Sequence, residues 1–244
     1  MKKAEIESYY LYGKHPVLMA LNNKNRIVKK LYLTLNTNNF LKEKLPHEVF
    51  SKLKIDILNP HQMDRLVGKR EDIVHQGIVA EVVPLEQPEL FDMVNSKLFV
   101  ALDKISDPHN IGAIVRCAAA FGAAGVITQD RAAPDENATI AKISAGCLEV
   151  IPYIKENNLK KSLEFLKQEG FKLIALAGES NKAIGDISSE ERKKAVLIIG
   201  SEGKGISDSI LEICDEIVRI NIAETVESLN ASVACSVALY ELTR

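Results

Sequence analysis

Apolar and polar positions follow two different regimes along this chain, with the segment VPLEQPEL between them. Ahead of it the pattern is short and mixed. Val17, Leu18, Ala20 and Leu21, after Gly13-Lys14-His15-Pro16, predict a short amphipathic helix with proline near its first turn. Residues 31–35 and 54–58 predict strands, and 39–53 a weak helix interrupted by Pro46. Asn59-Pro60 opens a helix to Val67, and 77–83 is a clear β run. These elements predict a small α/β domain over residues 1–84, with a proline-marked linker at 85–95 and a second domain over 96–244.

Beyond the linker the pattern becomes a regular alternation. Strands are predicted at 98–103, 125–129, 150–154, 172–177, 195–199 and 217–222, and helices at 111–121, 136–148, 159–168, 207–213 and 229–242. Strands separated by helices of this length imply parallel pairing through crossovers, hence a layered α/β domain. Ligands in such sheets bind at the carboxyl ends of the strands. That directs attention to the loops after 103, 177, 199 and 222.

Composition narrows the classes. With 46% hydrophobic and 26% charged residues the chain is that of a globular protein. No apolar run has the length of a membrane span, and MKKAEIESYYLYGKHP lacks the apolar core of a signal peptide, so a cytoplasmic location is expected and a membrane partner is not. Cys117, Cys147, Cys214 and Cys235 form no CxxC pair, which argues against a disulfide framework and a zinc site; no metal is expected. The net charge of −2 conceals an asymmetry: residues 1–84 hold 14 Lys and Arg against 9 Asp and Glu, and the remainder 17 against 24. A basic first part fits a polyanionic partner.

Three loops could carry chemistry. In the first, Asp107-Pro108 makes a turn, Asn110 suits a helix cap, and the following helix is apolar except for Arg116. The second, Gly200-Ser201-Glu202-Gly203-Lys204-Gly205, has three glycines in six residues, which lets backbone approach a ligand closely. It matches neither a P-loop nor GxGxxG, and Glu202 fits a ribose hydroxyl or a cation better than a phosphate. The third leads from Ile220 through Glu224 to a helix rich in small residues (Ala231, Ser232, Ala234, Ser236, Ala238), with Ser228 as the expected N-cap and Asn230 in the first turn.

Taken together, these loops resemble the SpoU/TrmH class of RNA ribose 2′-O-methyltransferases in the knotted SPOUT superfamily. The likeness rests on Asp107-Pro108-His109-Asn110-Ile111-Gly112-Ala113 with Arg116, on Gly200–Gly205, and on Ser228-Leu229-Asn230-Ala231-Ser232-Val233-Ala234. Tyr12-Gly13-Lys14-His15-Pro16 and His75-Gln76-Gly77-Ile78 resemble the substrate-binding domain of the RlmB-type subgroup, which modifies a guanosine of 23S rRNA. One departure stands out: the third motif ordinarily begins Ile-Pro-Met with a nearby glycine, whereas here it reads Ile220-Asn221-Ile222-Ala223-Glu224.

The resemblance implies an N-terminal RNA-binding domain and a parallel-sheet domain with a C-terminal trefoil knot. It also implies a homodimer and S-adenosylmethionine as methyl donor. The donor would be held by Ala177, Gly178, Gly200, Ser201, Gly203, Gly205, Ile220, Ile222 and Leu229. Asn110, Arg116, Glu202, Ser228 and Asn230 would face the reacting ribose. A guanidinium stays charged near neutrality, so Arg116 suits phosphate orientation or alkoxide stabilisation better than proton abstraction. Lys14, Lys24, Arg26, Lys29, Lys30, Lys69 and Arg70 are the candidate RNA contacts. The same chemistry on tRNA or another rRNA site, and a non-catalytic RNA-binding relative with this fold, are the alternatives.

Overall fold

The computed structural model describes residues 7–68 and 73–244. Two compact units emerge, one made of the chain up to Glu86 together with Glu136–Glu149, the other of Gln87–Asp135 and Val150–Arg244. The segment 136–149, expected from its position to belong to the second domain, thus folds with the first.

The first unit contains β1 (Tyr9–Tyr12), α1 (Lys14–Asn22), β2 (Val28–Leu33), α2 (Leu35–Lys44), α3 (His47–Phe50), β3 (Ile55–Ile57), α4 (Pro60–Val67) and β4 (Ile78–Val82). To these it adds α6 (Ala138–Ile143) from later in the chain. Its sheet runs β1-β4-β2-β3, antiparallel except for the β2–β3 pair. Helix breaks fall where local chemistry demands them: α2 and α3 flank Pro46, and α4 starts under a reciprocal Asn59–Gln62 capping box with proline in its first turn.

The second unit is built on six parallel strands: β5 (Leu98–Asp103), β6 (Gly125–Gln129), β7 (Tyr153–Glu156), β8 (Lys172–Leu176), β9 (Ala195–Gly200) and β10 (Glu216–Val218). Their order is β10-β8-β9-β5-β6-β7. Central β5 is buried at every residue, the continuous apolar signature of a strand covered on both faces. The helices are α5 (Pro108–Ala120), α7 (Leu159–Gln168), α8 (Ser189–Arg192), α9 (Asp208–Leu211) and α10 (Ala231–Thr243). On one face Leu159, Leu163 and Leu166 of α7 join Phe99, Ala101, Ile127 and Phe171 in a core cluster, each large apolar side chain contributing about 1.5–3 kcal/mol.

Several of the expected elements shift: the strand expected at 150–154 runs Tyr153–Glu156, and of the helix expected at 136–148 the α-helical part is Ala138–Ile143. The strand expected at 217–222 ends at Val218, and residues 221–228 run as an exposed connection. The helix that follows is capped by Asn230, whose Oδ1 accepts from the amides of Ser232 and Val233, and not by Ser228.

Candidate active site at the carboxyl end of the parallel sheet

Strand order positions the site. β10, β8, β9 and β5 are neighbours in the sheet, so the loops that leave their carboxyl ends lie side by side. These are the four loops the sequence singled out.

The first loop is set by Asp107, whose carboxylate accepts from the amides of His109 and Asn110 and so starts α5. Asn110, three residues into the helix, is thereby aimed out of its first turn. The second loop closes on itself through an isolated Ser201–Gly205 bridge, with Gly203 and Gly205 at positive φ. Gly200 has no room for a side chain: a Cβ there would lie 2.2 Å from the Gly205 carbonyl carbon and 2.4 Å from the Ile206 nitrogen. Gly200→Ala is therefore expected to break the Ser201–Gly205 bridge. Hydrogen exchange at the Gly205 amide reads this directly, and unchanged protection would refute it.

Three polar side chains from these loops meet. Asn110 Nδ2 donates to Glu202 Oε1 at 3.1 Å, and Asn230 Nδ2 donates to the same oxygen at 2.7 Å and to Asn110 Oδ1 at 2.9 Å. One carboxylate oxygen thus gathers two amides from positions 92 and 28 residues away in sequence. Of the five residues expected at the ribose, the structure brings these three together. Arg116 stands exposed on α5 with no hydrogen bond or ion pair to any described residue. Ser228 is exposed too, its hydroxyl unbonded within the described chain.

The residues expected to hold a donor line the adjoining loops. The Ala177 amide donates to Val218 O at 2.8 Å, joining the loop after β8 to β10, and Gly178 is open to solvent. Ile220 and Leu229 are half-buried, and Ile222 is 38% exposed. At the departure from the usual third motif, Asn221 Oδ1 accepts from Arg219 Nε at 3.2 Å, and a turn closes from Val226 N to Ala223 O. Surface grooves of about 590 Å³ beside Lys167 and Ile213 and about 550 Å³ beside Phe121 and Leu242 contain none of these residues. Among the described residues no group of His, Cys, Asp or Glu could hold a metal ion, and no helix is long and apolar enough to cross a membrane.

Sequence reasoning missed Asp103. It ends β5 fully buried, and its Oδ2 accepts from the Ser207 amide at 2.7 Å, fastening the end of the glycine loop to the central strand. The available signal was an acidic residue terminating an otherwise wholly apolar strand.

The described RNA candidates belong to the first unit. Lys14 Nζ sits 5.0 Å from the Phe40 ring centroid, Lys24 and Lys29 are exposed, and Lys30 pairs with Asp56 at 2.6 Å. Lys69 and Arg70 lie outside the described residues. Arg26 requires correction. Its side chain is wholly buried and pairs with Glu136 and Glu149, each at 2.6 Å, so it has no surface to offer a phosphate.

Comparison with known proteins decides the family. The SpoU rRNA Methylase family model matches residues 97–240, and the model for RNA 2′-O ribose methyltransferase substrate binding matches residues 10–88. The chain belongs to the SpoU rRNA methylase family. Within this family it is 35% identical to the 23S rRNA (guanosine-2′-O-)-methyltransferase RlmB of Pseudomonas aeruginosa, covering 96% of this chain and 95% of the relative. It is 34% identical to the putative TrmH family tRNA/rRNA methyltransferase YacO of Bacillus subtilis, again over 96% and 95%. It spans 62% of the length of an uncharacterized Synechocystis tRNA/rRNA methyltransferase that is 34% identical over 96% of this chain. In fold it is similar to the SpoU methyltransferase AviRb from Streptomyces viridochromogenes in complex with AdoMet (TM-score 0.80, 22% identity, 97% of this chain and 89% of that one). An AdoMet-bound rRNA methyltransferase from Sinorhizobium meliloti gives a TM-score of 0.79 at 23% identity, over 96% and 86%.

Proposed function

We propose that this protein transfers a methyl group from S-adenosylmethionine to a ribose 2′-hydroxyl of structured RNA, with a guanosine of 23S rRNA as the target. The observation that carries this reading is the Asn110–Glu202–Asn230 cluster, an arrangement of amides and one carboxylate suited to the donor and acceptor pattern of a ribose. The guanosine follows from the RlmB relative and the substrate-binding model.

The residues present fit the methyl donor. A Cβ at Gly178, Gly203 or Gly205 would meet open space, and Ile220, Ile222 and Leu229 leave apolar surface for an adenine. S-adenosylmethionine supplies an electrophilic methyl on its sulfonium, so the protein's task is alignment. Asn110 and Asn230, locked through Glu202, hold the ribose. Arg116 is free to fork onto a neighbouring phosphate or to stabilise the developing alkoxide. The hydroxyl proton leaves to solvent or by way of the Ser228 hydroxyl.

Two further parts of the reading rest on family likeness and on α10. Its exposed Val233, Val237 and Tyr240 recur at helical spacing and form an apolar stripe suited to a second copy of this chain. The C-terminal segment would complete a trefoil knot. Sedimentation velocity reads the stoichiometry.

Ribose-methylation mapping of total rRNA and tRNA, with and without the gene, tests the activity. Loss of one 23S guanosine methylation is expected. Loss confined to tRNA would move the target to a substrate that the name of the B. subtilis relative gives alongside rRNA. Loss in neither, with no saturable heat on titrating S-adenosylmethionine, would leave a non-catalytic RNA-binding protein.

A further inference from the structure

The chain passes between the two units three times, at 86/87, 135/136 and 149/150, so the first unit is not attached through one linker. The excursion 136–149 leaves the second sheet after β6, folds with the first unit, and returns to β7. Its hold on that unit is a buried charge cluster. Arg26 Nη1 donates to Glu136 Oε1 at 2.6 Å and to the Val83 carbonyl at 2.7 Å, while Nη2 and Nε donate to Glu149 Oε1 at 2.6 and 3.0 Å. Tyr9 Oη donates to Glu136 at 2.6 Å, the Leu85 amide to the same carboxylate at 3.0 Å, and Asn23 Nδ2 to Glu149 at 2.8 Å.

Between the two glutamates the backbone packs closely against α1. Ala145 and Gly146 are successive residues at positive φ, and a Cβ on Gly146 would lie 2.8 Å from Met19 Cγ and 3.2 Å from Pro16 Cα. A left-handed alanine persists only where its surroundings over-determine it. Arg26 is the basic side chain that pairs with both glutamates.

We propose that Arg26 is a positioning residue for the RNA substrate: it does not touch nucleic acid, but holds residues 136–149, which the chain enters from β6 and leaves for β7, folded on the RNA-binding unit. This rests on the function proposed above. Its consequence differs from that of a phosphate contact. Each lysine or arginine that neutralises a phosphate contributes about 0.9 to the slope of log affinity against log salt, and a buried guanidinium contributes none.

The test uses full-length Arg26→Met and Glu149→Gln, the latter keeping an oxygen acceptor and the local volume should the former fail to fold. Hydrogen exchange without RNA or donor is expected to lose at least about tenfold protection over 138–146 beyond any loss in β5 and β9. On a 23S rRNA transcript the KM for RNA is expected to rise by about tenfold or more, with S-adenosylmethionine affinity and the salt slope of RNA binding unchanged. Unchanged protection over 138–146 overturns the proposal, as does a slope smaller by about one or a loss confined to kcat. A wild-type protein inactive on rRNA and tRNA would instead refute the methyltransferase reading, and the exchange result would still judge the hold on 136–149.

Discussion

Asn230→Asp is expected to leave the fold intact while lowering kcat by about 10²–10³, the range seen when one preorganised donor is removed from an active site. The two ends of this amide do different work. Its Oδ1 caps α10, accepting from the Ser232 and Val233 amides at 3.0 and 3.4 Å and from the Ser232 hydroxyl at 2.6 Å. An aspartate retains that acceptor and suits the positive end of the helix dipole. Its Nδ2 ties Asn110 to Glu202, and an aspartate cannot donate there. The variant also sets a second carboxylate against Glu202, so the cluster opens. Asn230→Ala removes both functions and should cost about 1 kcal/mol of stability in addition. Steady-state methylation alongside thermal unfolding separates the two. Wild-type turnover in Asn230→Asp would sink the proposed role of the cluster, and a lowered unfolding midpoint would refute the division of labour.

How much of this was legible in the sequence depends on the range of the interactions involved. The glycine loop was legible because its causes are local: buried apolar runs at 98–103 and 195–199 end in turn chemistry. The start of α5 was placed three residues late: Asn110 suits a cap by type, but Asp107 takes that position and the helix begins at Pro108. The capping of α10 was displaced by two residues because Ser228 and Asn230 are equally good caps by type. What selects Asn230 is its simultaneous contact with Glu202, 28 residues back. β1 was not foreseen. Tyr9–Tyr12 reads YYLY, without alternation, and becomes a strand by pairing with β4 some seventy residues later. Arg26 was misread for a related reason. Flanked by Lys24, Lys29 and Lys30 it looks like one more solvated charge, and its partners lie 110 and 123 residues downstream. A long-range ion pair leaves no periodicity in either segment.

Arg26→Met is accordingly expected to destabilise the protein by about 3–5 kcal/mol, the range for removing one partner from a buried ion pair. The side chains of Arg26, Glu136 and Glu149 are 0%, 7% and 3% exposed, so the two carboxylates cannot turn to water when the guanidinium goes. Burial alone would disfavour the charged arginine. The hydrogen bond to Glu149 and the acidic groups around it outweigh that and hold its pKa above the ordinary value. Burial also pushes the Tyr9 phenol upward, with Glu136 adding to the effect, so Tyr9 remains a neutral donor and cannot substitute for the lost cation. Against a total stability of about 5–15 kcal/mol such a loss is large. The triple variant Arg26→Met, Glu136→Gln, Glu149→Gln removes every charge together and should recover most of it, because replacing a whole buried charge group by neutral residues of similar volume is near neutral. Urea unfolding of the single and triple variants makes the comparison. A single-variant loss below about 1 kcal/mol would place the cluster in the class of solvent-screened pairs. A triple variant no more stable than the single one would mean that packing of the arginine stem, and not uncompensated charge, holds the segment in place.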